Sequence, residues 1–407
     1  MKGAKLNTMS EQTKNYEKQL EKNIIKYSWF KVFTKRVYLP LIAIQLVNVG
    51  KVTIEEIALI AVITSIVTVI LQLPTGYIAD KLGNKFAIIL GASIASVSPL
   101  LYIFMPNFTG GLLASLLFFG GYSFQAGAIE AFMHDTLVAL KREKDYSKVM
   151  GRAQSYGLIG NVVLISLVPA TYAIHHNLPF VLGFISLLVM LWLAISFTYP
   201  VDESDRKAKN PFKAFANIVS WQNIALFVFA GFTAGVANKG GEYRELLFQD
   251  IGVAVALFGF LLALASIVGA ILGRYIHILD RLKPMNFYFL DLALMSACFV
   301  LMGVTTDPII VVAGFTFFAG YTRVRQIIFT AKLLHEVQHA YKATLVSALN
   351  LFTVIGEIGA IAILAKVIGL NGYSIGYLLF CFAIFGIGLV LWSLMWLEHR
   401  RRLIKNA

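Results

Sequence analysis

Residues 74–86 read Pro74-Thr75-Gly76-Tyr77-Ile78-Ala79-Asp80-Lys81-Leu82-Gly83-Asn84-Lys85-Phe86, a cluster of small, acidic and basic residues between two long apolar runs. A chain leaving a bilayer must turn sharply, satisfy the backbone groups freed at the turn and mark one side of the membrane with positive charge. Gly76, Asp80, Lys81, Gly83 and Lys85 supply that chemistry. Hydrophobic residues make up 58% of the 407 residues and charged residues 14%, with 31 Phe among them, which is more apolar surface than a soluble core needs. The sequence therefore describes an all-α polytopic membrane protein. At roughly 20 residues per crossing it holds about twelve transmembrane helices.

The net charge of +13 is spread in a way that argues against a nucleic-acid partner. Lys and Arg gather in alternate connections: residues 1–23, Lys81 with Lys85, Lys141 to Lys148, Arg206 to Lys213, Arg281 with Lys283, and Arg400 to Lys405. The intervening turns Pro106 to Gly110, His175 to Leu178, Thr305 to Pro308 and Asn371 to Gly372 carry none. By the positive-inside rule this predicts a multi-pass protein of the cell membrane with both termini cytoplasmic and an even number of crossings. Cys298 and Cys381 each sit in an apolar run and read as packing residues. Residues 1–23 lack the apolar core of a signal peptide and read as a solvated cytoplasmic tail.

Turn signals place predicted spans 1 to 12 near 24–49, 56–79, 86–105, 110–139, 149–174, 179–199, 217–249, 253–276, 285–304, 308–336, 341–367 and 372–397. Residues 200–216 are the longest charged stretch between spans and read as a cytoplasmic linker between bundles at 24–199 and 217–398, with a tail at 399–407. An internal repeat supports the division. Phe118-Phe119-Gly120-Gly121-Tyr122-Ser123 recurs as Phe317-Phe318-Ala319-Gly320-Tyr321-Thr322, Asn48-Val49-Gly50 parallels Asp250-Ile251-Gly252, Ser65-Ile66 parallels Ser266-Ile267, and Asp80-Lys81 parallels Asp280-Arg281.

The loop from Gly76 to Lys85 resembles the connection between helices 2 and 3 of the major facilitator superfamily, whose pattern is Gly-x-x-x-Asp-Arg/Lys-x-Gly-x-Arg/Lys. Every specified position matches, and the resemblance covers the chain from span 1 to span 12. It implies two pseudo-symmetric six-helix bundles that rock around a midplane site and carry a small-molecule substrate by alternating access. It also implies that Gly76 lets span 2 approach span 11 and that Asp80 meets the start of span 11 near Tyr341 and Lys342. Asp135 is expected to join a charge network with the basic residues of the 2–3 loop, and Arg152 belongs to the same network. No cofactor is expected, the proton gradient is the expected energy source, and the expected state is a monomer in the bilayer.

Charges at membrane depth mark the candidate site. In span 1, Val37 to Val49 gives only about 20 Å of helix, too little to cross, so Lys35 and Arg36 lie well inside. Helical spacing puts Lys31, Lys35, Tyr38, Ile42 and Gln45 on one stripe. In span 4, Ser123, Gly127, Glu130 and His134 share a face beside Gln125. Glu130 is a candidate to load and release protons, with a buried pairing to Arg152 of span 5 as the alternative. Span 7 is interrupted by Asn238-Lys239-Gly240-Gly241-Glu242-Tyr243-Arg244-Glu245, a gate or binding element in which Lys239 and Arg244 lie beside the acids. Span 10 places Arg323 and Arg325 near its middle about 200° apart on the helical wheel, so that one meets substrate and the other a neighbouring helix or Glu357. The interior leans basic, which favours an anionic or zwitterionic solute.

Competing activities fit the sequence less well. His335-Glu336-Val337-Gln338-His339 matches the zinc-protease helix pattern, but a third ligand is missing and the repeat pairs His335-Glu336 with His134-Asp135. No phosphate-binding loop, nucleophile elbow or Cys-x-x-Cys is present, so the chain does not read as an enzyme. Drug exporters of the family carry Gly-Pro-x-x-Gly-Gly in span 5, where this chain has Gly157-Leu158-Ile159-Gly160-Asn161-Val162. That departure ranks a multidrug/proton antiporter second, with a membrane sensor below it.

Overall fold

The structure, a computed structural model, describes residues 2–200, 224–275, 279, 281–336 and 342–406. The first half runs through α1 (Lys2–Phe33), a short apolar segment Leu39–Val49, α2 (Ile54–Leu82), α3 (Asn84–Phe104), α4 (Phe108–Gln125), α5 (Ala128–Ala139), α6 (Tyr146–Ala170) and α7 (Leu178–Ser196). The second half runs through α8 (Ile224–Lys239), α9 (Arg244–Asp250), α10 (Phe258–Arg274), α11 (Pro284–Gly303), α12 (Pro308–Glu336), α13 (Lys342–Asn371) and α14 (Tyr373–Asn406). The expected linker 200–216 falls almost wholly outside the described residues, as do Asp280, Val337 to His339 and Tyr341.

Among the described residues nine spans are long and apolar enough to cross a bilayer, ten when α8 and α9, bent by 43°, count as one. The two expected spans that fall short are 1 and 10, and both carry charge within their expected bounds. Lys31, Lys35 and Arg36 lie where the first is interrupted, while Arg323, Arg325 and Lys332 lie in α12, which is still one continuous helix of 29 residues. Two further expectations are corrected. Span 1 is not continuous, because the chain leaves the helix after Phe33, resumes as a single 3-10 turn at Leu39–Leu41 and ends in a π-helical turn at Gln45–Val49. Span 4 divides between α4 and α5 at Ala126-Gly127, where Gly127 takes φ +77°, a conformation that side chains disfavour. The C-terminal tail expected from 399 is helical through Asn406.

The chain forms two compact units, Met1–Leu39 with Val67–Lys207, and Pro40–Ile66 with Ala208–Ala407. In the first, Tyr27, Phe30, Phe132, Met133, Met190 and Phe197 form a core. Glycines permit its closest helix contacts. A Cβ on Gly91 would collide with the Gly121 carbonyl oxygen, so α3 and α4 touch backbone to backbone. Gly157 and Gly160 of α6 likewise face Lys31 and Val32, with 3.0 Å from a Gly157 Cβ to that of Lys31. At the loop between α2 and α3, Gly83 has φ +92°, which favours glycine, and the Tyr199 hydroxyl lies 3.2 Å from where a Cβ would sit. By contrast a Cβ on Gly76 would meet nothing within 4 Å among the described residues, which leave out the side chains at the start of span 11.

The long N-terminal helix is tied to the end of the first unit. Asn23 exchanges two hydrogen bonds with the backbone of Thr198, donating to its carbonyl at 2.8 Å and accepting from its amide at 2.9 Å. Lys26 donates to the Ser196 carbonyl and Tyr16 to that of Tyr199. Of these carbonyls, that of Ser196 is one the C-terminus of α7 leaves open, and those of Thr198 and Tyr199 belong to the residues just after it.

In the second unit, Gly231 and Gly235 of α8 pack on the backbone of Phe352, Gly356 and Glu357 in α13, with no room for a Cβ at either glycine. Residues 40–66 pack in the same unit. Tyr243 donates to the Ile54 carbonyl at 2.9 Å and the Asn48 amide to Gln249 at 3.3 Å.

Because the α3 to α4 approach is between backbones, no rotamer change relieves an added side chain. Gly121→Val is expected to lower stability by about 1–3 kcal/mol, read as a fall in the thermal midpoint of detergent-purified protein. An unchanged midpoint would show that these helices are free to separate.

Candidate functional site

The first unit contains a polar cavity of about 300 Å³, built where two helices break. Lys31, Thr34 and Lys35 come from the end of α1 and the residues after it, Gln125 from the last residue of α4, Ala126 and Gly127 from the break, Glu130 from the first turn of α5, and Gln154 and Asn161 from α6. The breaks follow from local chemistry. Pro40 has no amide to donate to the Arg36 carbonyl, which accepts from Leu39 instead at 2.9 Å, and Gly127 takes its positive φ at low cost. Gly157 brings α6 against the Lys31 stem, which fixes one wall.

Of the residues singled out in the sequence, Lys31, Lys35, Gln125 and Glu130 meet here. Glu130 is exposed to this space, not enclosed. Among the described residues neither lysine nor Glu130 has an ion-pair partner within 4.0 Å, and the Lys31 ammonium lies 5.4 Å from the centre of the Tyr27 ring. Arg36 is turned onto Phe118 and Phe119, 4.7 Å from each ring centre. Arg152 is not a partner of Glu130, since its guanidinium donates to Tyr156 one turn along α6, at 3.2 Å. The stripe expected from Lys31 to Gln45 does not form, because the helix ends at Phe33; Tyr38 is instead buried, 3.1 Å from the Ser98 hydroxyl. Gln154 and Asn161 are cavity residues that sequence reasoning misses. Their signal is a pair of polar residues two helical turns apart that bracket Gly157 and Gly160.

Toward the cytoplasmic end assigned from the sequence, Asp135 is buried and accepts from the Asn84 amide at the start of α3 at 3.2 Å, with His134 Nδ1 3.8 Å from its other oxygen. Lys81 lies over the Tyr77 ring at 5.9 Å. Lys85 is half-buried, and the side chain of Asp80 lies outside the described residues.

The charges of the second unit largely compensate one another. Lys239 pairs with Glu242 at 3.3 Å and Arg244 with the buried Glu245 at 2.7 Å, while the Arg244 guanidinium also donates to the Gly241 carbonyl. These contacts hold the unwound turn between α8 and α9. Arg325 is fully buried and bridges the Asp291 carboxylate of α11 at 2.6 and 2.7 Å. Thr233 of α8 accepts from the same guanidinium, and Tyr321 donates to Asp291 at 2.8 Å. Asp291, not Glu357, is therefore the neighbour of Arg325; Glu357 accepts from Asn238 at 2.7 Å. Arg323 is exposed, with no ion pair among the described residues.

This architecture is shared with known proteins. The family model of the Major Facilitator Superfamily matches residues 28–361, and the chain belongs to that superfamily. It is 24% identical over 355 residues, 84% of this chain and 89% of the relative, to an uncharacterized MFS-type transporter of Methanocaldococcus jannaschii. It is also 24% identical over 230 residues, 53% of this chain and 56% of the relative, to the uncharacterized MFS-type transporter YxaM of Bacillus subtilis. Among solved structures it resembles the nucleoside transporter NupG at a TM-score of 0.76, with 15% identity, 95% of this chain and 99% of that one covered. A bacterial homolog of the human lysosomal transporter Spinster matches at a TM-score of 0.70, with 15% identity over 95% of this chain and 97% of that one. The protein is a multi-pass membrane transporter of this type, and its relatives are transporters rather than enzymes.

Proposed function

We propose that the protein is a secondary active transporter that carries a small polar organic solute, anionic or zwitterionic, by alternating access, with protons as the coupling ion. The observation that carries this reading is the cavity of the first unit, where Lys31 and Lys35 stand without carboxylate partners within 4.0 Å among the described residues, beside Gln125, Gln154, Asn161 and Glu130. Unpaired ammonium groups held at depth are costly unless a solute or water meets them. A hydrophobic drug would leave them unmatched, which argues against the multidrug alternative. Proton coupling is assigned to Glu130, the carboxylate that lines the same cavity. Both termini are assigned to the cytoplasmic side of the cell membrane by the distribution of Lys and Arg.

Flux into proteoliposomes tests the proposal. A panel of anionic, zwitterionic and cationic metabolites, run with and without a pH gradient, is expected to show gradient-driven uptake or efflux of an anionic or zwitterionic member and none of the cations. Transport confined to lipophilic cations would overturn it.

A further inference from the structure

The break in span 4 does more than shape the cavity. α5 begins at Ala128 with no side-chain cap on its first turn, and the amides of Ala128, Ile129 and Glu130 find no acceptor among the described residues. A helix of 12 residues that starts this way presents about half a positive charge and free N–H groups to whatever lies before it. What lies before it is the cavity, since Ala126, Gly127, Ile129 and Glu130 all line it. A second observation points the same way. Gln125 is only 3% exposed, yet among the described residues its side-chain carbonyl oxygen has no partner, and neither has the buried Asn161 amide nitrogen. Both side chains line the same space, and rotation of a terminal amide is soft enough to turn either group onto a solute.

We infer that the N-terminus of α5, with Lys31, Lys35 and the Asn161 amide, forms a binding site for the anionic group of the solute, and that Gln125 accepts a hydrogen bond from a neutral donor on the same molecule. The inference rests on the transport reading above and names the solute's chemistry as anion plus donor. It also assigns Glu130 a role. This carboxylate occupies the third position of α5, where its charge competes with the solute for the same helix terminus and for Lys31, which lies within electrostatic reach. An anion and a charged Glu130 oppose each other, so the anion binds together with a proton. The other groups around Glu130 are Tyr27 of α1, Tyr146 of α6, Lys35 across the cavity and His134 one turn further along α5. Arg152 is engaged with Tyr156.

Isethionate and taurine separate the possibilities, because both carry a sulfonate on the same two-carbon frame and neither changes charge between about pH 5 and about pH 8. Isethionate ends in a hydroxyl and taurine in an ammonium. Binding to purified full-length protein, measured by calorimetry, is expected to tighten about tenfold for isethionate on going from the higher to the lower pH. Glu130→Gln is expected to bind at the tighter level at both pH values, His134→Gln to keep the pH response, and Lys35→Gln to weaken binding at both. Proton uptake on mixing wild-type protein with isethionate, followed with an indicator dye, checks the same point without a variant. Isethionate binding that ignores pH, or a pH response that survives in Glu130→Gln, would overturn the inference while leaving the transport reading intact. Taurine binding that tightens toward the higher pH would overturn it in favour of Glu130 as a partner for ammonium. No binding of either sulfonate would remove both the site and the anion reading beneath it.

Discussion

Asp291→Ala is expected to destabilise the protein by about 3–5 kcal/mol, because it strands a fully buried guanidinium. Arg325 and Asp291 are both wholly inaccessible, and the hydroxyls of Thr233 and Tyr321 converge on them from α8 and α12. Removing the acid leaves the Arg325 charge in a low-dielectric interior with the Thr233 hydroxyl and the Phe329 ring, 4.8 Å away, to face it. Asp291→Asn keeps the shape without the charge, and its stability is expected to fall between wild type and Asp291→Ala. The informative variant is the double replacement Asp291→Leu with Arg325→Met, which removes both charges and is expected to recover most of the loss. The yield and thermal midpoint of detergent-purified protein report all three. If the double variant were no better than Asp291→Ala, the pair would be contributing something other than charge compensation.

The second large effect is on transport. Lys31→Gln with Lys35→Gln is expected to raise the KM for an anionic substrate by about a hundredfold or more, since each lost charge-assisted contact removes about 1.5–3 kcal/mol of binding. Stability should change little, because Lys35 is exposed to the cavity and the glutamine stem preserves the contact of residue 31 with Gly157. Lys35→Arg, which keeps the charge, is expected to retain most of the affinity. A double variant that transports an anion at the wild-type KM would place the solute elsewhere.

Much of the architecture is legible in residues 74–86 and in the repeat between the halves. Local chemistry is enough there, because charge between two apolar runs marks a turn out of the bilayer and the positive φ at Gly83 favours glycine. The cavity is legible only in part. Lys35 and Glu130 stand out as charges in apolar runs, but the wheel that places Lys31, Lys35 and Tyr38 on one stripe assumes an unbroken helix. The breaks turn on the missing amide of Pro40 and the positive φ of Gly127, which periodicity does not report. Asp291 is hidden for a related reason. It is one acid in the apolar run from Phe287 to Val300, and its meaning appears only when α12 brings Arg325 beside it. Gln154 and Asn161 are hidden by being uncharged.

The hydrogen bonds that join α1 to residues 196–199 span 170 to 183 positions of sequence. During synthesis Asn23 and Lys26 emerge early, and their partners emerge only after α7 is complete. The first unit therefore stays unfastened at this edge until nearly all of it has been made, and a fragment ending before Ser196 leaves both side chains without their carbonyls. The packing of α1 on α6 can thus precede these bonds, which complete its attachment only when the first half of the chain has been made.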